Sequence, residues 1–443
     1  MKFFLIEQID SKKYVNRDQM GGLGIAEMPR TTPIVKLFGR IKRNFIVVPL
    51  YALAQIAACL KKNDHEVKVF NGDKLPENES PDAFILPSSM VGSNDECKLG
   101  TRLKLNYPNS KVIFFGPFAS YYSDKYLMHG DLVVQGEPEN FFLSLNAKDK
   151  IPTGTVKSPL PENLDALPFP AWEFFKLDQY RYSPALTKKP IVTMLASRSC
   201  IYTCKYCPYP VVYGAYRERS IDSIMDEITR LIQDLGVKSI LFRDPLFLVK
   251  HSHMIEFIEA VKRKNLKFDW VCETRIEYFT EDILRDLRSI GLKGINCGIE
   301  ALTPEVLNTQ RRKDVTIGRY NELASLCRDI GIWITGFYII GFLKETPDTI
   351  QFTLEQAKRI NLPIVQFTIN TPIPLSDDFT EFEPLLTEAN WDYFSFYNLT
   401  YDHPNFSKSQ IQAFQSRVLR DYYFRIDYWA SNLKYFANRI LAS

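Results

Sequence analysis

Three cysteines crowd one short segment, SRSCIYTCKYCPYP (197–210), where Cys200, Cys204 and Cys207 fall within eight residues. The whole chain of 443 residues holds only eight cysteines, so this spacing demands a chemical reason. Three thiolates can occupy three corners of a [4Fe–4S] cube and leave the fourth iron open to a substrate or cofactor. Two rival chemistries explain less. Structural zinc usually takes four ligands, and no fourth Cys or His lies nearby. A redox dithiol made of Cys204 and Cys207 leaves Cys200 without a role. Three unrelated buried thiols would not account for this spacing at the end of a strand.

Such a loop needs elements to hold it. Apolar residues make up 45% of the chain and charged residues 24%, ordinary proportions for a soluble globular protein of two or three domains. A net charge of +3 is small for this length and argues against nucleic acid as the main partner. The opening MKFFLIEQID is too short in apolar residues for a secretory segment. The longest uncharged run, Asn44 to Leu60, carries Pro49 and Gln55 and reads as a turn and a buried helix. No stable membrane insertion is expected, and the expected compartment is the cytoplasm. In that reducing setting clustered cysteines serve as metal ligands or redox groups rather than as a disulfide framework.

Along the first 147 residues, near-continuous apolar runs at 2–8, 66–72, 82–89, 111–117 and 131–137 alternate with helical stretches at 49–61 and 98–106. That rhythm predicts a doubly wound, Rossmann-like parallel sheet, with ligands at the carboxyl ends of its strands. Residues 148–190 are proline-rich and aperiodic, which reads as a linker over the surface. A second rhythm spans 191–375, with strands at 191–197, 238–244, 268–274, 294–300, 332–341 and 364–373. Six units suit an open, partial (β/α)6 barrel of the TIM type, whose chemistry gathers at the carboxyl rim. The cysteines follow its first strand directly. The aromatic tail, 376–443, reads as a mostly helical extension that caps the barrel.

CIYTCKYC (200–207) resembles the cysteine motif of the radical SAM superfamily, with an aromatic residue before the last cysteine. FRDPLF (242–247), CETRIEYF (272–279), NCGIEAL (296–302) and GFLKETPDTI (341–350) are similar to strand-end segments of one subgroup, that with an N-terminal cobalamin-binding or cobalamin-binding-like domain. TPIPLSDD (371–378), DLVVQGEPENFF (131–142) and LDALPFPAW (164–172) extend the resemblance. It covers about residues 45 to 375. It implies a [4Fe–4S] cluster on Cys200, Cys204 and Cys207, these three being both metal ligands and catalytic residues. The open iron would bind S-adenosylmethionine, which an electron cleaves to a 5′-deoxyadenosyl radical.

Further roles follow from the same resemblance. Tyr206 is expected against the adenine and Glu300 at the ribose. Arg275 is expected at the methionyl carboxylate, or in a salt bridge with Glu273 or Asp244. Asp244 is expected at the ammonium or in the substrate pocket, or else capping its loop. Ser88 and Ser89 would contact cobalamin, if that cofactor is bound. The histidine signature that ligates cobalt is absent, and FFGPFAS (114–120) sets Phe115 where relatives carry glycine, so cobalamin stays an open question. Cys272 and Cys297 read as small core residues, or as candidate hydrogen donors if they face the lumen; Cys59 and Cys327 read as core. GGLG (21–24) lacks the flanking elements of a phosphate loop.

The expected function is abstraction of hydrogen from a small-molecule carbon, leading to cobalamin-dependent C-methylation. The alternative is a cobalamin-free radical dehydration, epimerisation or cyclisation, with the first domain as scaffold. A non-catalytic iron–sulfur or corrinoid-binding protein stands third. Partners would be the small substrate and an electron donor such as flavodoxin or ferredoxin.

Overall fold

Strand β1 (Lys2–Glu7) shows why the first sheet is covered on both sides. Its alternation sends Phe3 and Leu5 to one face, where they join the helix Tyr51–Lys62, and Phe4 and Ile6 to the other. On that second face they meet Phe84, Phe114, Leu103 and Tyr126. The sheet continues with β2 (Glu66–Asn71), β3 (Ala83–Pro87), β4 (Lys111–Phe115), β5 (Leu132–Gln135) and β6 (Gly154–Lys157). All pairings are parallel, in the order β2-β1-β3-β4-β5-β6, the doubly wound arrangement expected. The structure, a computed structural model, describes residues 1–7, 30–72, 75–76 and 79–440; the GGLG stretch lies outside them.

The segment 148–190 does more than link. Gly154–Lys157 forms the sixth strand, and Trp172 and Tyr180 are fully buried. Its apolar residues have no period because they join different clusters, Ala171, Trp172, Phe175 and Tyr180 the main core and Tyr182, Ala185 and Leu186 the interior of the second sheet. Arg181–Tyr182 pairs with Ile46–Val47, and Tyr182 packs with Leu241, Val271 and Trp333 inside the second sheet.

That second sheet runs β7 (Ile191–Met194), β8 (Ser239–Phe242), β9 (Asp269–Thr274), β10 (Leu292–Glu300), β11 (Trp333–Ile340) and β12 (Ile364–Ile369), parallel and in sequential order. It is the open six-stranded barrel expected. Amphipathic helices cover its outside; Ile224, Ile228 and Leu231 of Ile221–Gln233 are buried, as are Ile283, Leu284 and Leu287 of Glu281–Ser289. Gly291 ends the latter unit at φ +108°, and a Cβ there would sit 2.1 Å from the Phe268 carbonyl oxygen. Only glycine fits.

An open barrel exposes a strand edge, and the tail covers it. The helix Lys408–Tyr423, started by a Ser407–Gln410 capping box, lies along β12. The Tyr423 hydroxyl accepts from the Val365 N–H (2.9 Å) and donates to the Val365 carbonyl (2.7 Å). Gln415 donates to the Phe367 carbonyl at 2.9 Å.

Strand alternation also decides which residues see the barrel interior. Val271 packs against Tyr182, and Asn296 donates to the Tyr182 hydroxyl at 2.8 Å, so Val271, Glu273 and Asn296 face inward. Cys272, one residue out of phase, faces the helix layer. Cys297, next to Asn296, does so too, and lies close enough to Cys327 of the helix Ile317–Ile330 to act on its titration. Of the two readings of Cys272 and Cys297 the core one therefore holds: both are outer core residues and neither faces the lumen as a hydrogen donor. Cys59 is core, as expected.

Candidate active site

The cysteine loop opens from β7 through a short antiparallel pair, Ser197–Arg198 with Arg217–Glu218. Asp244, just past β8, fixes its start. Its carboxylate accepts from the Ala196 N–H at 3.0 Å and from the Ser197 hydroxyl at 2.6 Å. Full burial pushes Asp244 up to about 6, against those hydrogen bonds, which pull the other way. Of the roles expected for Asp244, these bonds are those of a loop cap, made to the cysteine loop rather than to the loop that follows Asp244.

Cys200, Cys204 and Cys207 are free thiols, with Cys204 buried and the other two half-buried. Burial raises Cys200, and Arg312 and Arg275 oppose it. Burial pushes Cys207 up to about 12, and the charges of Cys200 and Cys204 act on it in the same direction. The three sulfurs are thus near enough to feel one another. Among the described residues, no three His, Cys, Asp or Glu side chains group as ligands of a single ion. A cube asks for something else: one thiolate at each of three corners, supported by N–H donors to sulfur. Such donors are present. The Tyr202 N–H lies 3.4 Å from Cys200 Sγ, and the Tyr209 N–H lies near enough to Cys207 to pull its pKa down. The donor set fits the cluster.

Two of the loop's tyrosines reach different neighbourhoods. Tyr202 meets the Tyr278 hydroxyl and lies under the Arg275 guanidinium, 4.8 Å from ring centre to Cζ. Arg275 pairs with Glu277 and donates to the Lys313 carbonyl at 3.1 Å, while Glu273 takes Arg243 instead. Its Nη1 is buried with no hydrogen-bond partner among the described residues, which leaves a donor for a ligand carboxylate. Tyr206 packs on Phe342 with ring centres 5.8 Å apart, and its hydroxyl lies near enough to the Glu300 carboxylate to pull its pKa down.

Glu300 ends β10 in the left-handed region, φ +68°, and is buried. Burial raises its pKa against the pull of Arg312, whose Nη2 is 3.9 Å from Glu300 Oε1. A non-glycine residue held there is strained, and such strain concentrates at functional sites. Sequence reasoning missed Arg312. It sits in the plain charge run QRRKD, which gives no signal of its own.

Glu345 shapes the turn that carries Phe342. Its Oε2 accepts from the Phe342 N–H at 3.0 Å and from the Gly341 N–H, while Oε1 is buried without a partner among the described residues. Burial pushes this carboxyl up to about 8 from an ordinary 4.5. Between those values the folded chain keeps a proton that the unfolded chain releases, so stability falls as pH rises from about 4.5 to about 8 and then levels. Glu345→Gln should remove that component: melting temperature compared at pH 6 and pH 9 should fall less in the variant than in wild type. Equal falls would show that Glu345 is ionised throughout.

A cavity of about 450 Å³ separates the loop from the first domain. Ser88, Gly116, Gly136 and Ser158, from the carboxyl ends of β3 to β6, line it together with Arg198 and Tyr209. Ser88 lines this cavity and accepts from the Ala119 N–H at 2.9 Å. Ser89, expected beside it, instead gives its hydroxyl (2.6 Å) and N–H (2.9 Å) to Glu96. Phe115 also lines the cavity, while Phe114 points into the opposite face of the sheet.

Residues 194–357 match the family model described as the radical SAM superfamily. An uncharacterized methyltransferase of Pyrococcus horikoshii is 23% identical over 85% of this chain and 88% of its own length. Bacteriochlorophyllide d C-12(1)-methyltransferase of Chlorobaculum tepidum is 25% identical over 75% of this chain and 72% of its own. The solved structure of the radical S-adenosylmethionine methyltransferase TsrM from Kitasatospora setae, with cobalamin and a [4Fe–4S] cluster bound, has a TM-score of 0.60 at 16% identity, covering 86% of this chain and 77% of that one. OxsB, a cobalamin-dependent S-adenosylmethionine radical enzyme solved with aqua-cobalamin, has a TM-score of 0.57 at 13% identity, covering 95% and 55%. Among the described residues no helix is long and apolar enough to cross a membrane. Residues 194–357 of this enzyme thus form a radical SAM domain that carries the cysteine motif, and the chain shares its two-domain fold with TsrM and OxsB.

Proposed function

We propose that this enzyme methylates a carbon of a small molecule, with cobalamin held in the cavity between the domains. The observation that carries this reading is a space shared by the strand ends of the first domain and by Ser199 and Tyr209 of the cysteine loop, next to the cysteines although these do not line it. The carboxyl ends of β3 to β6 and the cysteine loop both line the same 450 Å³ cavity. A doubly wound sheet offers its ligand site at those strand ends, and the methyltransferase names of the relatives point the same way.

Bound to Cys200, Cys204 and Cys207, a [4Fe–4S] cluster supplies the electron that cleaves S-adenosylmethionine reductively. The chain's own residues would orient both ends of S-adenosylmethionine. Arg275 Nη1 would take the methionyl carboxylate, and Glu300, held by Arg312 and Tyr206, would accept from the ribose. Burial of these groups strengthens each contact. Ser88 would border the corrinoid, and electrons would come from a carrier such as flavodoxin or ferredoxin in the cytoplasm.

Phe115 supports a second reading, cobalamin-free radical chemistry with the first domain as scaffold. Its ring lines the cavity where a glycine would leave room. Folding the protein with hydroxocobalamin, iron and sulfide, followed by gel filtration, separates the two. Methylation predicts a stoichiometric corrinoid spectrum that survives the column. If Phe115 obstructs the nucleotide tail, Phe115→Gly should retain corrinoid more tightly. Loss of all corrinoid from both proteins, with substrate-dependent 5′-deoxyadenosine still formed, would establish the scaffold reading.

A further inference from the structure

The two domains also meet at a buried ionic cluster, placed at the neck of the cysteine loop. Arg198 lies opposite Arg217 in the antiparallel pair, so residues 199–216, with all three cysteines, leave and return between two guanidiniums. Carboxylates of the first domain hold both. Arg198 donates to Glu137 Oε2 and to Glu139 Oε1, each at 2.6 Å. Arg217 donates to both oxygens of Glu137, at 3.3 Å to Oε2, and to the Tyr213 carbonyl at 2.7 Å within the loop itself. Glu137 is 2% exposed, Glu139 3% and Arg198 7%.

Burying such charges costs several kcal/mol per ion unless each is matched, and apolar side chains could join two domains without that cost. What apolar contacts cannot do is fix two loop ends against each other by fork geometry. Glu137 does this, because its two oxygens bridge the outgoing and the returning strand. Neither glutamate belongs to either apolar core.

We propose that Glu137 is a positioning residue for the iron–sulfur cluster, acting through Arg198 and Arg217. The first domain thereby holds the neck of the loop, and with it the relative placement of the three sulfurs, whether or not a corrinoid is present. The inference rests on the assignment of the cluster to Cys200, Cys204 and Cys207. Glu137, Glu139 and Arg198 also line the cavity, so an occupant of that space borders the same charges.

The test uses the full chain, reconstituted anaerobically with iron and sulfide. Wild type is compared with Glu137→Gln, Arg217→Lys and a control, Glu79→Gln, whose carboxylate pairs with Lys2 and Lys68 on β1 and β2. Readouts are the EPR spectrum of the reduced cluster with and without S-adenosylmethionine, the rate of iron release to a chelator, and thermal unfolding. Glu137→Gln should release iron about tenfold faster, a fraction of the loss expected from stranding a buried charge, and should shift the EPR spectrum. Arg217→Lys keeps the charge but not the fork, and should shift the same signals less. The control should match wild type. A lowered melting temperature with unchanged spectrum and release rate would overturn the proposal, leaving only domain adhesion. Should Glu137→Gln be insoluble, Arg217→Lys and Glu139→Gln are judged by the same criteria. Wild type that binds no iron would overturn the cluster assignment as well; a normal wild-type cluster with insensitive variants overturns this inference alone.

Discussion

Replacing Cys200, Cys204 and Cys207 together with alanine is expected to abolish the iron–sulfur absorbance of the reconstituted protein and all reductive cleavage of S-adenosylmethionine. The effect should be complete because these three thiols are the only protein ligands the loop offers the cluster. The fold should survive. The loop is anchored by Asp244 at its start and by Glu137 at its neck, and removing three small sulfur atoms, two of them half-buried, opens little space. Circular dichroism and melting temperature therefore serve as controls. A triple variant that keeps a cluster would move the ligand set elsewhere in the chain.

The second large effect is at Glu300. Glu300→Ala removes the acceptor expected at the ribose while leaving the cysteines untouched. A hydrogen bond to a charged group contributes about 1.5–3 kcal/mol, so binding of S-adenosylmethionine should weaken roughly tenfold to a hundredfold. Iron content should stay at the wild-type level. Glu300→Gly is the informative companion, because φ +68° strains any residue with a Cβ. It should be more stable than Glu300→Ala by about 1 kcal/mol, yet bind the cofactor equally poorly. A Glu300→Ala protein that binds S-adenosylmethionine normally would leave the carboxylate a structural partner of Arg312 and no more.

Much of this architecture was legible in one sequence because its strands are buried on both faces. Runs such as KFFLIE and IVTM have little alternative to a covered parallel sheet. The cysteine loop was legible from spacing alone. Other parts were hidden for physical reasons. Gly154–Lys157 is a half-exposed edge strand without an apolar run, so it looked like linker. Cys272 and Cys297 carry no mark of the face they take; strand phase is decided by what plugs the barrel, and Tyr182 comes from a distant segment. Arg312, Glu137 and Arg198 act through long-range pairings, which periodicity does not encode. The phrase GEPEN did hold a signal, since two glutamates just past a buried strand are costly unless something pairs with them.

The site assignment meets its most direct test in the reduced protein. Anaerobically reconstituted wild type, treated with dithionite and S-adenosylmethionine, should hold close to one [4Fe–4S] cluster per chain and release 5′-deoxyadenosine and methionine in equal amounts, even if slowly without substrate. Zinc at stoichiometry in place of iron, with S-adenosylmethionine unconsumed, would contradict it.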